Sequence, residues 1–271
     1  MGKLEGQVAF ITGAARGQGR AHAIRLAQDG ADIIAVDICE QMKSVGYQMP
    51  AREDLDETVR LVKDLGRRII AHVVDVRDVD ALQQAFDDGA AQLGPVTIVV
   101  ANAGIGPGGF ASAEEQWEEV IGVNLKGVWN TGRVAIPSMI ENGTGGSIVL
   151  TSSTGGLIGS PSNVAGMLGY TAAKHGVVGL MRSWANFLAP HNIRVNSVAP
   201  TTVRTPMANN GDVSMIIKHV PELANSLTNA LPVEAVDAED VANAVAWLAS
   251  DEARYVTGTV LPVDAGSINR R

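Results

Sequence analysis

The sequence predicts an α/β fold: a doubly wound parallel sheet with helices on both faces, layered α/β/α. Three observations carry this. Short apolar runs rich in β-branched residues recur along the chain, and their continuous apolar character marks strands buried on both faces. Segments of helical periodicity alternate with them, the pattern of βαβ units. A glycine-rich turn joins the first run to the first helix, where such sheets bind anions. The 271 residues, 46% hydrophobic and 18% charged, suffice for a sizeable core and exclude disorder as the main state. No fixed-period repeat or low-complexity linker is present, so residues 1–271 are expected to form a single domain.

The first strand is expected over residues 8–12 and runs into Thr12-Gly13-Ala14-Ala15-Arg16-Gly17-Gln18-Gly19, ahead of a helix over 19–28. The G-x-x-x-G-x-G spacing permits a tight turn and lets a pyrophosphate approach backbone N–H groups at the helix N-terminus. Gly13, Arg16, Gly17, Gln18 and Gly19 are therefore candidate cofactor contacts, against the plainer alternative of an ordinary glycine-rich turn. The second strand, 32–36, ends at Asp37-Ile38. A carboxylate there can accept hydrogen bonds from the adenosine ribose and would repel a 2′-phosphate, which points to NAD rather than NADP. Arg16 pulls the other way, since a basic residue could neutralise that phosphate. Asp37 outweighs it because its charge would face the phosphate in a partly dry site.

Residues 38–53 follow as a loop longer than the ~12–15 residues at which loops in compact domains become functional suspects. A helix is expected over 55–65 and a strand over 69–74. Asp75-Val76 then stands where a carboxylate and backbone can bracket the adenine, or where Asp75 merely caps the helix over 79–93. The strand over 97–101 ends in Asn102-Ala103-Gly104, small residues that let a flat ligand lie close. One long helix is expected over 117–140, with Trp117 in the core. It carries Asn124, which either holds a water or a helix carbonyl or satisfies local backbone. The strand over 147–151 delivers Ser152 and Ser153, a hydroxyl that can bond a substrate oxygen.

Tyr170 and Lys174 share one face of the next helix, 170–188, at i and i+4. Free tyrosine titrates near ~10 and is a poor base at neutral pH. A lysine cation and a positively charged nicotinamide would favour the phenolate, making an acid/base suited to alcohol and carbonyl chemistry. A surface Tyr–Lys pair is the plain alternative without such context. After the strand over 193–198 come Pro200, Val203 and Thr205. Segment 204–232 is Met-rich and amphipathic, read as a substrate lid rather than a surface excursion. The helix over 241–249, with Trp247 in the core, and the strand over 259–263 complete the chain.

The net charge of −8 argues against nucleic acid or an anionic membrane surface as partner. Cys39 is the only cysteine, so neither an intrachain disulfide nor a cysteine zinc site can form. The histidines show no ligand spacing, and no metal is expected. Arg67 and Arg68 read as solvated charges. No apolar stretch of about 18 residues and no signal-peptide pattern occurs, which makes a cytoplasmic location the default.

Together the stretches 12–19, Asp75-Val76, Asn102-Ala103-Gly104, Asn124, Ser153, Tyr170 with Lys174, 195–200 and Asp264-Ala265-Gly266 resemble the short-chain dehydrogenase/reductases, over essentially the whole chain. The resemblance implies a seven-stranded Rossmann sheet and a catalytic tetrad at Asn124, Ser153, Tyr170 and Lys174. Ser153 is expected rather than Ser152, because the stretch Ser153-Thr154-Gly155-Gly156 best matches the family's serine followed three residues later by glycine. Tyr170 would exchange the proton of a secondary alcohol while hydride passes to nicotinamide, with Lys174 also binding the nicotinamide ribose. Residues 160–168 look inserted relative to the family, and Thr201 replaces its usual glycine. Backbone at Val203 and the Thr205 hydroxyl would still meet the carboxamide. The insertion at 38–53 is similar to the mycofactocin-associated, carveol dehydrogenase-like branch. In that branch it is thought to cover the adenosine and trap NAD for reoxidation by an external redox carrier. The resemblance further implies a homotetramer assembled through helices at 114–140 and 166–189. An apolar, terpene-like alcohol is the expected substrate. An NADH-dependent carbonyl reductase and a catalytically silent nucleotide sensor are the alternatives, and a screen of secondary alcohols separates the last from the others.

Overall fold

A computed structural model describes residues 2–106, 108–208 and 228–270. Seven strands form one parallel sheet: β1 (Val8–Thr12), β2 (Asp32–Asp37), β3 (Ile69–Val73), β4 (Ile98–Ala101), β5 (Gly146–Thr151), β6 (Ile193–Pro200) and β7 (Val260–Val263). Their spatial order is β3-β2-β1-β4-β5-β6-β7. The order reverses between β1 and β4, so a crevice opens beyond their carboxyl ends, the position at which such sheets take ligands. This is the Rossmann arrangement.

Strand alternation divides the core in two. Val8 and Phe10 of β1 face one side, with Phe86 edge-on to Phe10 at 5.3 Å between ring centroids. Ala9 and Ile11 face the other, against Leu26, Leu55, Val241 and Leu248. The first side is covered by α3 (Val79–Leu93), α5 (Val128–Asn142) and α6 (Ala165–Leu188), the second by α1 (Gly17–Gln28), α2 (Arg52–Asp64) and α7 (Ala238–Ala249). The three layers expected from the sequence are present.

Several boundaries differ from expectation. The long helix over 117–140 is instead α4 (Ala113–Ile121), a π-helical turn Gly122–Gly127, and α5. Ser112 sets its earlier start, accepting from Glu115 N while Glu115 reaches back to Ser112 N, a capping box. The π turn carries Asn124, and widened turns of this kind are frequent at functional positions. Loop 38–53 ends at residue 51, where α2 begins. Helix α6 starts at Ala165, so only 160–164 of the inserted segment is loop. Trp117 and Trp247, expected in the core, are 42% and 39% exposed on outer helix faces. Arg67 and Arg68 are not free solvated charges: both pair with the buried Asp32, at 2.9 and 2.5 Å. Residues 209–227 of the expected lid lie outside the described residues.

Candidate active site and dinucleotide cleft

The glycine turn is built by β1 and α1. Gly13 holds φ +70°, and a Cβ there would stand 2.8 Å from Ala103 Cα. A Cβ on Gly19 would stand 1.9 Å from the Gly13 carbonyl oxygen. No side chain caps the first turn of α1, so its N–H groups remain for an anion. Thr12 ties this turn to the end of β4, its hydroxyl accepting from Asn102 N and Ala103 N, both at 3.1 Å. Asn102 Nδ2 returns a bond to Thr12 O at 3.0 Å. These bonds fix the crevice floor.

Of the candidate cofactor residues, the structure brings Gly13, Arg16, Gly17, Gln18, Gly19, Asp37, Ile38, Asp75, Val76, Asn102, Ala103, Gly104 and Thr205 around one cleft of about 860 Å³. Asp37 closes β2, 7% exposed, and accepts from Ala15 N at 2.9 Å. Burial pushes its carboxyl above the usual range, and the Ala15 N–H and the Arg16 charge oppose this. Arg16 itself donates to the Gln48 carbonyl in the 38–51 segment. Asp75 is held by Arg77, through Arg77 N and the guanidinium at 2.6 Å. The cap of α3 is Asp78, not Asp75. Gln18 Oε1 is buried with no hydrogen-bond partner among the described residues. A cleft closed to Cβ atoms at its floor, with a buried carboxylate at one end and an unpartnered acceptor within it, fits a dinucleotide.

A second cavity of about 1370 Å³ adjoins the cleft and shares Gln18, Asn102, Gly104, Thr205 and Met207 with it. Ser153, Tyr170, Lys174, Pro200 and Val203 line this cavity, together with Ile158 and Met167. The Tyr170 phenol shares a hydrogen bond with Ser153, which opposes the upward push that burial gives its pKa. Ser152 instead donates to Lys174 O at 3.0 Å and is almost fully buried. Lys174 is 3% exposed, donates to Thr151 O at 2.8 Å, and sits 5.7 Å from the centre of the Tyr170 ring. Burial lowers its pKa to about 8. With protein groups alone, burial moves both residues toward their neutral forms, so a phenolate near neutrality needs further positive charge beside it.

Asn124 lines neither space. It is fully buried, and its amide is used twice on one residue: Oδ1 accepts from Ile105 N at 2.8 Å and Nδ2 donates to Ile105 O at 2.9 Å. The side chain therefore clamps the backbone beyond Gly104. Asn130, six residues later, donates to Val76 O at 2.8 Å and fixes the backbone at that edge of the cleft. Thr201 Oγ1 donates to Asn229 Oδ1 at 2.9 Å, an anchor that the family's usual glycine cannot make.

The residue that sequence reasoning missed is Tyr47. It comes from the 38–51 segment, lines the cleft, and accepts from Gly106 N at 3.2 Å. Burial pushes its pKa to about 12, so it is a neutral phenol. The available signal was an aromatic residue inside a loop of unusual length. That segment is far from a surface loop, since Met42, Val45 and Met49 are buried in the main core.

The family model described as enoyl-(acyl carrier protein) reductase matches residues 13–267. An uncharacterized oxidoreductase of Mycobacterium tuberculosis is 59% identical over 99% of this chain and 98% of its own length. The (-)-trans-carveol dehydrogenase of Rhodococcus erythropolis is 48% identical over 98% of this chain and 99% of its own. The crystal structure of carveol dehydrogenase from Mycobacterium avium in complex with NAD superposes with a TM-score of 0.92 at 50% identity, covering 100% of both chains. The chain belongs to the short-chain dehydrogenase/reductase family of oxidoreductases, in its carveol dehydrogenase-like branch. Among the described residues no helix is long and apolar enough to cross a membrane.

Proposed function

We propose that this protein is an NAD-dependent dehydrogenase that interconverts an apolar secondary alcohol of cyclic terpene type and its ketone. The observation that carries this is the hydrogen-bonded Ser153–Tyr170 pair above buried Lys174, at the boundary between a dinucleotide-shaped cleft and a largely apolar cavity. The carveol dehydrogenases among its relatives support the substrate class. Bound NAD supplies the hydride acceptor. Ser153 Oγ donates to the substrate oxygen and holds it beside Tyr170. The Tyr170 phenolate oxygen accepts the alcohol proton in oxidation and returns it in reduction. Lys174, while cationic, lowers the cost of that phenolate and bonds the cofactor ribose. Asn124 keeps Ile105 in place under the reacting end. Asp37 binds the adenosine ribose and rejects a 2′-phosphate, which selects NAD over NADP.

In this proposal the whole chain works as one domain. The 38–51 segment roofs the adenosine end and slows NAD exchange, with reoxidation by an external redox carrier. The apolar side chains left exposed on α5 and α6, Trp129 and Phe187, support a homotetramer through those helices. The decisive experiment assays a panel of secondary alcohols that includes carveol, with an artificial electron acceptor, with and without added NAD. Turnover of cyclic apolar alcohols without added NAD is the expected result. Inactivity across the panel would sink the dehydrogenase assignment, and activity strictly dependent on added NAD would sink the trapped cofactor. Denatured protein should release about one NAD(H) per chain.

A further inference from the structure

The 38–51 segment is fastened to the rest of the molecule at separate points. Arg16 holds Gln48 O, Glu119 holds Ser44, and Phe110 N donates to Lys43 O at 3.3 Å. Internally, Gln41 knits the segment by donating to its own backbone and accepting from Met49 N at 2.9 Å. Tyr47 differs from these fastenings in what lies at its far end. Gly106, whose N–H it accepts, lines the alcohol cavity, while Tyr47 itself lines the cofactor cleft. Met207, which borders both spaces, packs beside Gly106, and a Cβ on Gly106 would stand 3.1 Å from Met207 Cγ and 3.8 Å from the Tyr47 ring. Burial raises the Tyr47 pKa, and Tyr170 adds to that rise. Tyr47 therefore stands at the reacting end of the cleft, whereas Arg16 and Glu119 hold the segment elsewhere.

We propose that Tyr47 is a positioning residue that couples cofactor retention to alcohol binding. Its hydroxyl joins the segment over the cofactor to the backbone wall of the alcohol cavity, so the two open and close together. By linkage, whatever packs against Gly106 and Met207 also strengthens the hold on NAD, and loss of the joint weakens both. The inference rests on the proposed NAD-dependent alcohol chemistry and adds to it the residue that connects the two sites.

The test uses Tyr47→Phe, which keeps the ring and removes only the acceptor for Gly106 N. Full-length protein carrying its copurified NAD is diluted into excess isotopically labelled NAD, and mass spectrometry follows replacement. Steady-state kinetics with carveol and an artificial acceptor give KM and kcat. One hydrogen bond of ordinary net worth predicts NAD replacement about two- to tenfold faster than in wild type. KM for carveol should rise by a similar factor, with kcat falling by less than KM rises. A replacement rate equal to wild type would overturn the proposal, as would faster replacement with KM unchanged. Wild-type protein that holds no NAD, or that fails to oxidise carveol, would count against the proposed function instead.

Discussion

At the residue scale, the proposed chemistry turns on a buried phenol and a buried ammonium. Burial raises the Tyr170 pKa and lowers that of Lys174 to about 8. Oxidation needs the phenolate, so kcat/KM for the alcohol should rise with pH until the phenol is ionised. Lys174 favours that ionisation only while it is cationic, and it loses its proton as pH rises through its own lowered pKa. Lys174→Met should accordingly move the rising limb to higher pH, as a pH–rate profile would read; an unmoved limb would remove Lys174 from the role. Tyr170→Phe should lose about 10²–10⁴-fold in turnover, the usual worth of a positioned acid/base, while the NAD content of the denatured protein stays at the wild-type level. Asp37→Asn should narrow the preference for NAD over NADP by about tenfold or more, since a hydrogen bond to a charged group contributes about 1.5–3 kcal/mol. Competition binding of the two cofactors measures it.

At the scale of elements, two departures from sequence periodicity matter. The π turn at Gly122–Gly127 interrupts a helix that the apolar pattern shows as continuous. Its buried Asn124 uses both amide atoms on Ile105, and the pattern of apolar residues carries no record of such a bond. The 38–51 segment is the second. It has no regular structure, yet Met42, Val45 and Met49 enter the core, and Gln41 supplies the backbone hydrogen bonds that a helix or strand would otherwise provide. Gln41→Ala leaves those backbone groups short of partners, at about 1–3 kcal/mol each where water cannot replace the bond. Limited proteolysis should then cut within 43–48 sooner than in wild type, with the rest of the chain resistant; identical digestion patterns would show that Gln41 does not organise the segment.

For the whole molecule, Asp32 joins the start of β2 to the turn before β3. Its carboxylate is 6% exposed and lies against Arg67 and Arg68. Burial would raise its pKa, but the Arg68 N–H and the two guanidinium groups outweigh this and hold the carboxyl below the usual carboxylate range. A carboxyl depressed in the folded state contributes stability that is present above the unfolded value and lost as pH falls through the folded one. Asp32→Asn should therefore lower Tm at pH 7 by at least about 2–4 °C. It should also flatten the decline in Tm below pH 4 relative to wild type, which thermal scans across pH 3–7 would read.

The parallel α/β sheet, the glycine turn, the acid at the end of β2 and the Tyr170–Lys174 face can all be read along the chain. Each is written in local spacing, because strand burial, helix periodicity and turn conformation depend on near neighbours in the chain. The family can be read there too, through motifs whose combination is specific where each alone is not. The folded arrangement was needed to show that Ser153 rather than Ser152 bonds Tyr170, that Asp75 pairs with Arg77, that Asn124 clamps Ile105, and that Tyr47 reaches Gly106. These are contacts between residues whose order along the chain does not fix their distance. They arise when the sheet order brings the ends of β1, β4 and β5 together, and periodicity carries no information about them.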